Sequence, residues 1–318
     1  MASKLKVVFM GTSEFAVPSL EHLVLGGYQV AAVYTRPDKP AGRGLALVSS
    51  PVKIKALSLG LKVIEPESLR SEVVVAGLAR FHPDLIVVAA YAKLLTSSVL
   101  KIPGYGCVNV HPSLLPRHRG PAPVAAAILS GDEVSGVSIM LMDKGFDTGP
   151  VLSQCQFPVA DTDTTTSLTQ KLSLVAADLL SKTLHPWVSG ALTPKPQDES
   201  RATCSSPLSR KDGEIDWMLP ALTLWRQVRA FQPWPGAFTG WRGKKLKIIS
   251  ALPLPKAGAS EAGRVIGLDE PSGEAPFGVI TGDGVLGVRE LQLEGKRIMS
   301  AAEFMRGQRG FVGSVLPG

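Results

Sequence analysis

Between Gly106 and Gly120 the chain reads GCVNVHPSLLPRHRG, and two residues there have the equipment for catalysis. Asn109 and His111 stand two positions apart at the end of an apolar run that reads as a buried strand. Alternate residues of a strand project to one face, so this spacing sets an amide beside an imidazole. Pro112 biases His111 toward extended backbone and fixes its own φ, which stiffens the segment where a surface loop without a task would be flexible. An amide donates a hydrogen bond at every pH, and an imidazole titrates near about 6.5. Together they can stabilise developing negative charge and move a proton. A second polar cluster, MDKGFDTGP from Met142 to Pro150, carries Asp143 and Asp147 around a glycine turn. It meets the first if the strands leading into the two clusters are neighbours. Taken singly, each feature has a bland explanation: a core histidine, or turn carboxylates capping their own loop. Taken jointly, they describe a site.

The elements that must position these residues follow from periodicity. Leu5–Phe9, Val30–Tyr34, Leu85–Ala89, Val108–His111 and Val137–Leu141 read as mostly buried strands. Segments near Phe15–Leu25, Val52–Leu59 and Glu72–Arg80 read as helices. This alternation predicts an α/β fold, a Rossmann-like doubly wound parallel sheet, whose ligands bind beyond the carboxyl ends of the strands. Leu168, Leu172, Val175, Leu179 and Leu180 then mark a long amphipathic helix behind the threonines of DTDTTTS. Residues 190–208 lose periodicity, fill with Pro, Ser and charge, and read as a linker between a first domain at 1–189 and a second at 209–318. In the second domain a helix at Ala221–Ala230 precedes short strand-like runs, KKLKIIS, GRVIGL, FGVITGDG and GVRELQL, which predict a small C-terminal β-barrel of OB-like type.

Composition removes several classes. No apolar run approaches the roughly 20 residues of a membrane span, and the five-residue apolar core in KLKVVFMGTSEF is too short for a signal peptide, so a cytoplasmic protein without membrane contact is expected. Cys107, Cys155 and Cys204 are far apart and have no histidine at ligand spacing, so neither disulfides nor a metal site is expected. The first turn, MGTSEF, lacks the GxGxxG pattern, which disfavours a dinucleotide-dependent dehydrogenase. A net charge of +7 permits a polyanionic partner without requiring one.

At this point a resemblance enters. NVHPSLLPRHRGPAPV together with MDKGFDTGP resembles the signature of the folate-dependent formyltransferases. TRPDKPAGRG at Thr35–Gly44, SPVK at Ser50–Lys53, LSRKDGEIDW at Leu208–Trp217 and RAFQPWPG at Arg229–Gly236 extend the likeness over nearly the whole chain, toward the members that act on tRNA. Pro112 stands where many of those members carry glycine, and His118 where an aromatic residue is common.

The resemblance implies a catalytic set of Asn109, His111 and Asp147. It also implies a formyl donor, 10-formyltetrahydrofolate, lying against Ser113, Leu114, Leu115 and Pro116, with its pteridine near Tyr91, Leu94 and Leu95. The implied acceptor is the α-amino group of methionyl initiator tRNA, approached by Arg36, Lys39 and Arg43, with the second domain helping to hold the tRNA and the enzyme acting as a monomer. That domain, from Ser209 on, carries 15 Lys and Arg against 11 Asp and Glu, a modest surplus compatible with such a role. Amine attack on a formyl carbon creates a negative oxygen, which Asn109 suits, and a proton to be moved, which His111 suits, with Asp147 orienting the ring or relaying the proton. An α-amino group titrates near about 8 and supplies its own nucleophile, so no Ser–His pair or metal is needed. The rivals are a sugar-nucleotide formyltransferase, a glycinamide ribonucleotide transformylase without the appended domain, and a catalytically silent nucleic-acid-binding protein. The loop at Thr35–Gly44 favours tRNA.

Overall fold

The structure is a computed structural model that describes residues 5–41, 46–255, 261–268 and 275–318. Along the chain the first elements are β1 (Lys6–Gly11), α1 (Val17–Leu25), β2 (Gln29–Tyr34), β3 (Lys39–Ala41), β4 (Ala46–Val48), α2 (Pro51–Ser58), β5 (Val63–Ile64), α3 (Glu72–Ala79), β6 (Leu85–Ala89) and α4 (Ser97–Leu100). They are followed by β7 (Cys107–His111), α5 (Pro123–Ser130), β8 (Val134–Leu141), β9 (Val151–Pro158) and α6 (Thr165–Val188). The chain divides into two compact units. The first comprises Met1–Pro123, Val134–Pro158 and Leu168–Ser205, and the second Val124–Glu133, Val159–Ser167 and Ser206–Gly318.

The first unit is built on one seven-stranded sheet, ordered β5-β2-β1-β6-β7-β8-β9. Five strands are parallel, and the central ones are buried on both faces and read as apolar runs: β6, LIVVA, is buried at every position, whereas β2 starts exposed and the short outer β5 is half-buried. The last two depart from the parallel expectation, since β8 runs antiparallel to β7 and β9 antiparallel to β8. β9, VLSQCQFP, alternates half-buried and exposed positions, as an edge strand does, and its polar residues hide it from an apolar-run reading. A short antiparallel ribbon pairs β3, which lies within the Thr35–Gly44 motif, with β4 just after it.

Local signals start the helices where expected. Ser50 Oγ accepts the Lys53 amide at 3.0 Å and Pro51 occupies the first turn of α2, so part of the SPVK motif is a helix cap. On α6, Leu168, Leu172, Ala176, Leu180 and Leu184 form a buried stripe at four-residue spacing, while Val175 and Leu179 lie half-buried at its margin.

The second unit contains α7 (Ala221–Ala230), β10 (Ala237–Trp241), β11 (Lys244–Leu254), β12 (Val265–Gly267), β13 (Phe277–Ile280), β14 (Val285–Leu293), β15 (Met299–Ser300) and α8 (Ala301–Gly307). Its strands make an antiparallel sheet ordered β10-β11-β14-β13-β12, with β15 on β14. The expected barrel thus takes the form of a curled antiparallel sheet. Phe277, Phe304 and Trp241 each stand edge-on to Phe311 with ring centroids 4.9–5.1 Å apart, giving this unit a core of its own. Among the described residues no helix is long and apolar enough to cross a membrane.

Candidate active site

The site is laid out on β7. Asn109 and His111 share one face of this strand, as their spacing predicts, and His111 is buried. Its Nε2 lies 3.0 Å from the His118 carbonyl, which can only accept, so Nε2 carries the proton and the neutral ring keeps its lone pair on Nδ1. That lone pair faces Asp147 Oδ2 at 3.6 Å. Burial pushes the imidazole pKa below its ordinary value; the Asp147 charge and the His118 carbonyl push it back up, and the His118 ring pushes it down. The ring is therefore neutral at pH 7, a proton acceptor with a carboxylate waiting beside it.

Asp147 reaches the other two residues by a route the sequence did not show. Because β8 runs antiparallel to β7, the loop after β8 starts at the amino end of β7, where the Met142 amide bonds the Cys107 carbonyl at 2.8 Å. From there it folds back, and Asp147 turns in with φ 55°. Its Oδ1 accepts Asn109 Nδ2 at 3.1 Å and its Oδ2 accepts the Gly120 amide at 2.9 Å. A carboxylate cannot donate, so the NH2 side of Asn109 must face it, and one N–H of that amide remains for a substrate oxygen. Gly149 closes the loop, because a Cβ there would stand 1.8 Å from the Leu141 carbonyl. Asp143 caps its own loop, accepting the Gly145 amide at 2.9 Å and the Thr148 hydroxyl at 2.8 Å.

The residues expected around a folate divide into anchors and free surface. Ser113 and Leu115 are buried: Ser113 Oγ donates to the Arg117 carbonyl at 2.6 Å, and the Leu115 amide and carbonyl are taken by Ser138 Oγ and Gln154 Nε2. Leu114 and Pro116 remain half-buried. Tyr91 and Leu95 are buried, Leu94 is exposed, and the Tyr91 hydroxyl has no hydrogen-bond partner. Burial pushes that hydroxyl's pKa up, so it is a neutral donor. β6 and β7 are parallel neighbours, so the segments following Ala89 and His111 leave the same sheet edge.

At the Thr35–Gly44 motif, the half-buried Arg36 is engaged with its own loop, donating to the Pro37 carbonyl at 2.8 Å, whereas Lys39 is exposed. Arg43 lies outside the described residues. The base of this loop is tied to α2 by Lys53, which bridges Asp38 at 2.9 Å and Glu65 at 2.8 Å.

Sequence reasoning missed several groups at this site. The carbonyl of His118 and the amide of Gly120 hold His111 and Asp147, and Gln197 holds the Asp147 loop by its backbone. Gln197 falls in the stretch expected as a linker, yet residues 195–205 are hydrogen-bonded along the first unit, from the Lys195–Val151 bridge to Ser205 on Arg119. Their signal is weak, because such a strap is held by scattered polar bonds and has no periodicity. His118 itself adopts φ 56°, a conformation that Asn, Asp and His tolerate better than most residues.

Known proteins resemble this chain along almost its whole length. Residues 4–184 match the family described as "Formyl transferase", and residues 207–309 match "Formyl transferase, C-terminal domain". A methionyl-tRNA formyltransferase of Roseiflexus castenholzii is 50% identical over 306 residues, covering 96% of this chain and 96% of that protein. One from Dehalococcoides mccartyi is 45% identical over 315 residues, covering 98% of each. The fold is shared with the sugar 3N-formyl transferase WlaRD, with a TM-score of 0.65 at 19% identity over 93% of this chain and 100% of that one. It is shared also with glycinamide ribonucleotide transformylase 1 from Symbiobacterium toebii, with a TM-score of 0.51 at 20% identity over 62% of this chain and 96% of that one. With both domains matched and close relatives aligned along almost its full length, the chain belongs to the formyltransferase family.

Proposed function

We propose that this enzyme transfers the formyl group of 10-formyltetrahydrofolate to the α-amino group of methionyl initiator tRNA, in the cytoplasm and as a monomer. The observation that carries the reading is the convergence of Asn109 and His111 on Asp147, on a chain whose near full-length relatives are named for this reaction. The folate fits the residues present: Leu114 and Pro116 offer apolar surface, and the buried, unpartnered Tyr91 hydroxyl offers a donor at the same sheet edge. When bound it supplies an activated formyl carbon.

The chain's own groups then divide the work. The free N–H of Asn109 donates to the formyl oxygen as the amine nitrogen attacks and the carbon becomes tetrahedral; one such donor can be worth roughly 10²- to 10³-fold in rate. His111 Nδ1 accepts the proton that the attacking nitrogen sheds, and Asp147 stabilises the resulting imidazolium. The same proton goes to the departing folate nitrogen as its bond to the formyl carbon breaks, which returns His111 to its neutral state. We assign residues 1–189 to formyl transfer and 209–318 to holding the tRNA, with Arg36, Lys39 and Arg43 approaching the acceptor end.

The test is incubation with 10-formyltetrahydrofolate and, separately, methionyl initiator tRNA, free methionine and an amino-sugar nucleotide. Formylation of the tRNA alone is expected. Formylation of the sugar instead would overturn the assignment in favour of the sugar-nucleotide reading.

A further inference from the structure

Both catalytic side chains take their bearings from the backbone on either side of one residue, Arg119. The carbonyl of His118 holds His111 Nε2 at 3.0 Å, and the amide of Gly120 holds Asp147 Oδ2 at 2.9 Å. Whatever fixes Arg119 therefore fixes the imidazole and the carboxylate against each other. Its main chain is pinned by the strap from Lys195 to Ser205: the Arg119 amide donates to the Thr203 carbonyl at 2.9 Å, and its carbonyl accepts the Ser205 amide at 2.7 Å. The Thr203 hydroxyl also accepts the His118 amide, at 2.9 Å. The approach is close enough that a Cβ on Gly120, which sits at φ 101°, would stand 2.6 Å from the Ser205 carbonyl.

The Arg119 side chain does further positioning. It is buried, and its guanidinium fork takes both oxygens of Glu199, at 2.9 and 2.7 Å. Its Nε donates to Gln197 Oε1 at 3.0 Å. That bond fixes which way the Gln197 amide points, so Nε2 is presented to the carbonyls of Asp147 at 2.8 Å and Gly149 at 2.7 Å. A single amide thus ties down both sides of a turn whose Asp147 is held at positive φ, a conformation uncommon outside glycine although aspartate tolerates it better than most residues.

From this arrangement we infer that Arg119 and Gln197 are positioning residues for formyl transfer and that the strap 195–205 belongs to the catalytic apparatus. The inference rests on the reading of His111 and Asp147 given above. An Asp147 loop released from Gln197 keeps its sequence but loses its distance to His111 Nδ1, and a misplacement of about 1 Å in such a site can cost on the order of 10²-fold in rate. The Gln197 side chain and the Arg119 guanidinium bond only to groups of the protein and not to the surfaces assigned to folate and tRNA, so the affinities of both substrates are spared.

Gln197→Met tests this directly, since methionine nearly conserves the volume, removes both donors and adds no charge near the ring. Arg119→Lys is the second variant; it keeps the charge and loses the fork. In the full-length enzyme, kcat should fall at least 10-fold in Gln197→Met, with KM for both substrates within about twofold of wild type. The NMR titration of His111 should shift to lower pH, because the charged group that raises its pKa, Asp147, has moved off, while the neighbouring His118 ring stays. A folded variant with wild-type kcat and an unmoved His111 titration overturns the inference. So does a loss of kcat that merely tracks the folded fraction with the titration unmoved. If Gln197→Met does not fold, Arg119→Lys is judged by the same criteria. A His111→Ala enzyme that still turns over would instead sink the underlying catalytic reading, and is measured alongside to keep the two failures apart.

Discussion

The side chain of His111 is fixed in one protonation state and one tautomer, where the free ring near neutral pH exchanges among several. Burial favours the neutral ring, the His118 carbonyl selects the tautomer, and Asp147 stands ready to stabilise the charged form only when a proton arrives. Two outcomes follow at this scale. Replacing His111 or Asn109 by Ala should lower turnover by roughly 10²-fold or more with the fold intact, and near-normal kcat in a folded variant would refute their roles. The second concerns pH. The native pKa of His111 lies below the value of about 6.5 that it has in the unfolded chain, so between the two the unfolded state binds more protons. This group therefore subtracts stability as pH falls below about 6.5, and contributes no such loss above it. Urea unfolding at pH 7.5 and 5.5 should show the wild type losing more stability on acidification than His111→Gln; equal losses would mean the ring is not held neutral. Both residues were legible in the sequence because a strand's two-residue repeat is local. The tautomer was not, because it is set by a carbonyl seven residues away that reaches the ring only through the turn at Pro112–Pro116.

At the scale of elements, the turns and caps carry more than connection. Ser50 both caps α2 and shares a 2.7 Å hydrogen bond with Thr35, which ties the end of the β2 segment to the start of the helix. Ser50→Ala removes both bonds in a buried setting and should cost about 1–2 kcal/mol, read as a lower urea midpoint with an unchanged slope. A midpoint within error of wild type would show that neither bond contributes. The strands around this motif were readable from apolar runs, as was the amphipathic α6. Two features were not. The direction of β8 is invisible to periodicity, because an alternating pattern reads the same forwards and backwards, and β9 disguises itself with the polar residues of an edge. A third is the strap at 195–205, which has the composition of a linker yet is hydrogen-bonded along the first unit, since bonds to a neighbouring backbone need no pattern along the chain.

For the whole molecule, the acceptor is a polyanion much larger than the site, so the charged loop at Thr35–Gly44 should be felt in binding and not in chemistry. Arg43→Ala is expected to raise KM for methionyl initiator tRNA and leave that for folate unchanged. If the lost contact is to a phosphate, it should flatten the salt dependence by up to about one unit of log-log slope. Unchanged kinetics across a salt titration would reduce the loop to ordinary surface. The sequence by itself determined the fold class, the apolar strands of the first sheet, the long helix and the presence of a second β-rich domain, and it put Asn109 and His111 on one face of a strand. Each is encoded by residue type and by spacing over a few positions, whereas Asp147 was singled out from Asp143 only by the family resemblance. Only the tertiary structure decided that β8 turns antiparallel, that Asp147 arrives from the amino end of β7, and that a supposed linker holds Arg119 and Gln197 in place. Those are contacts between residues from tens to more than eighty positions apart, such as His118 with Thr203, and no local period records a pairing made across that distance.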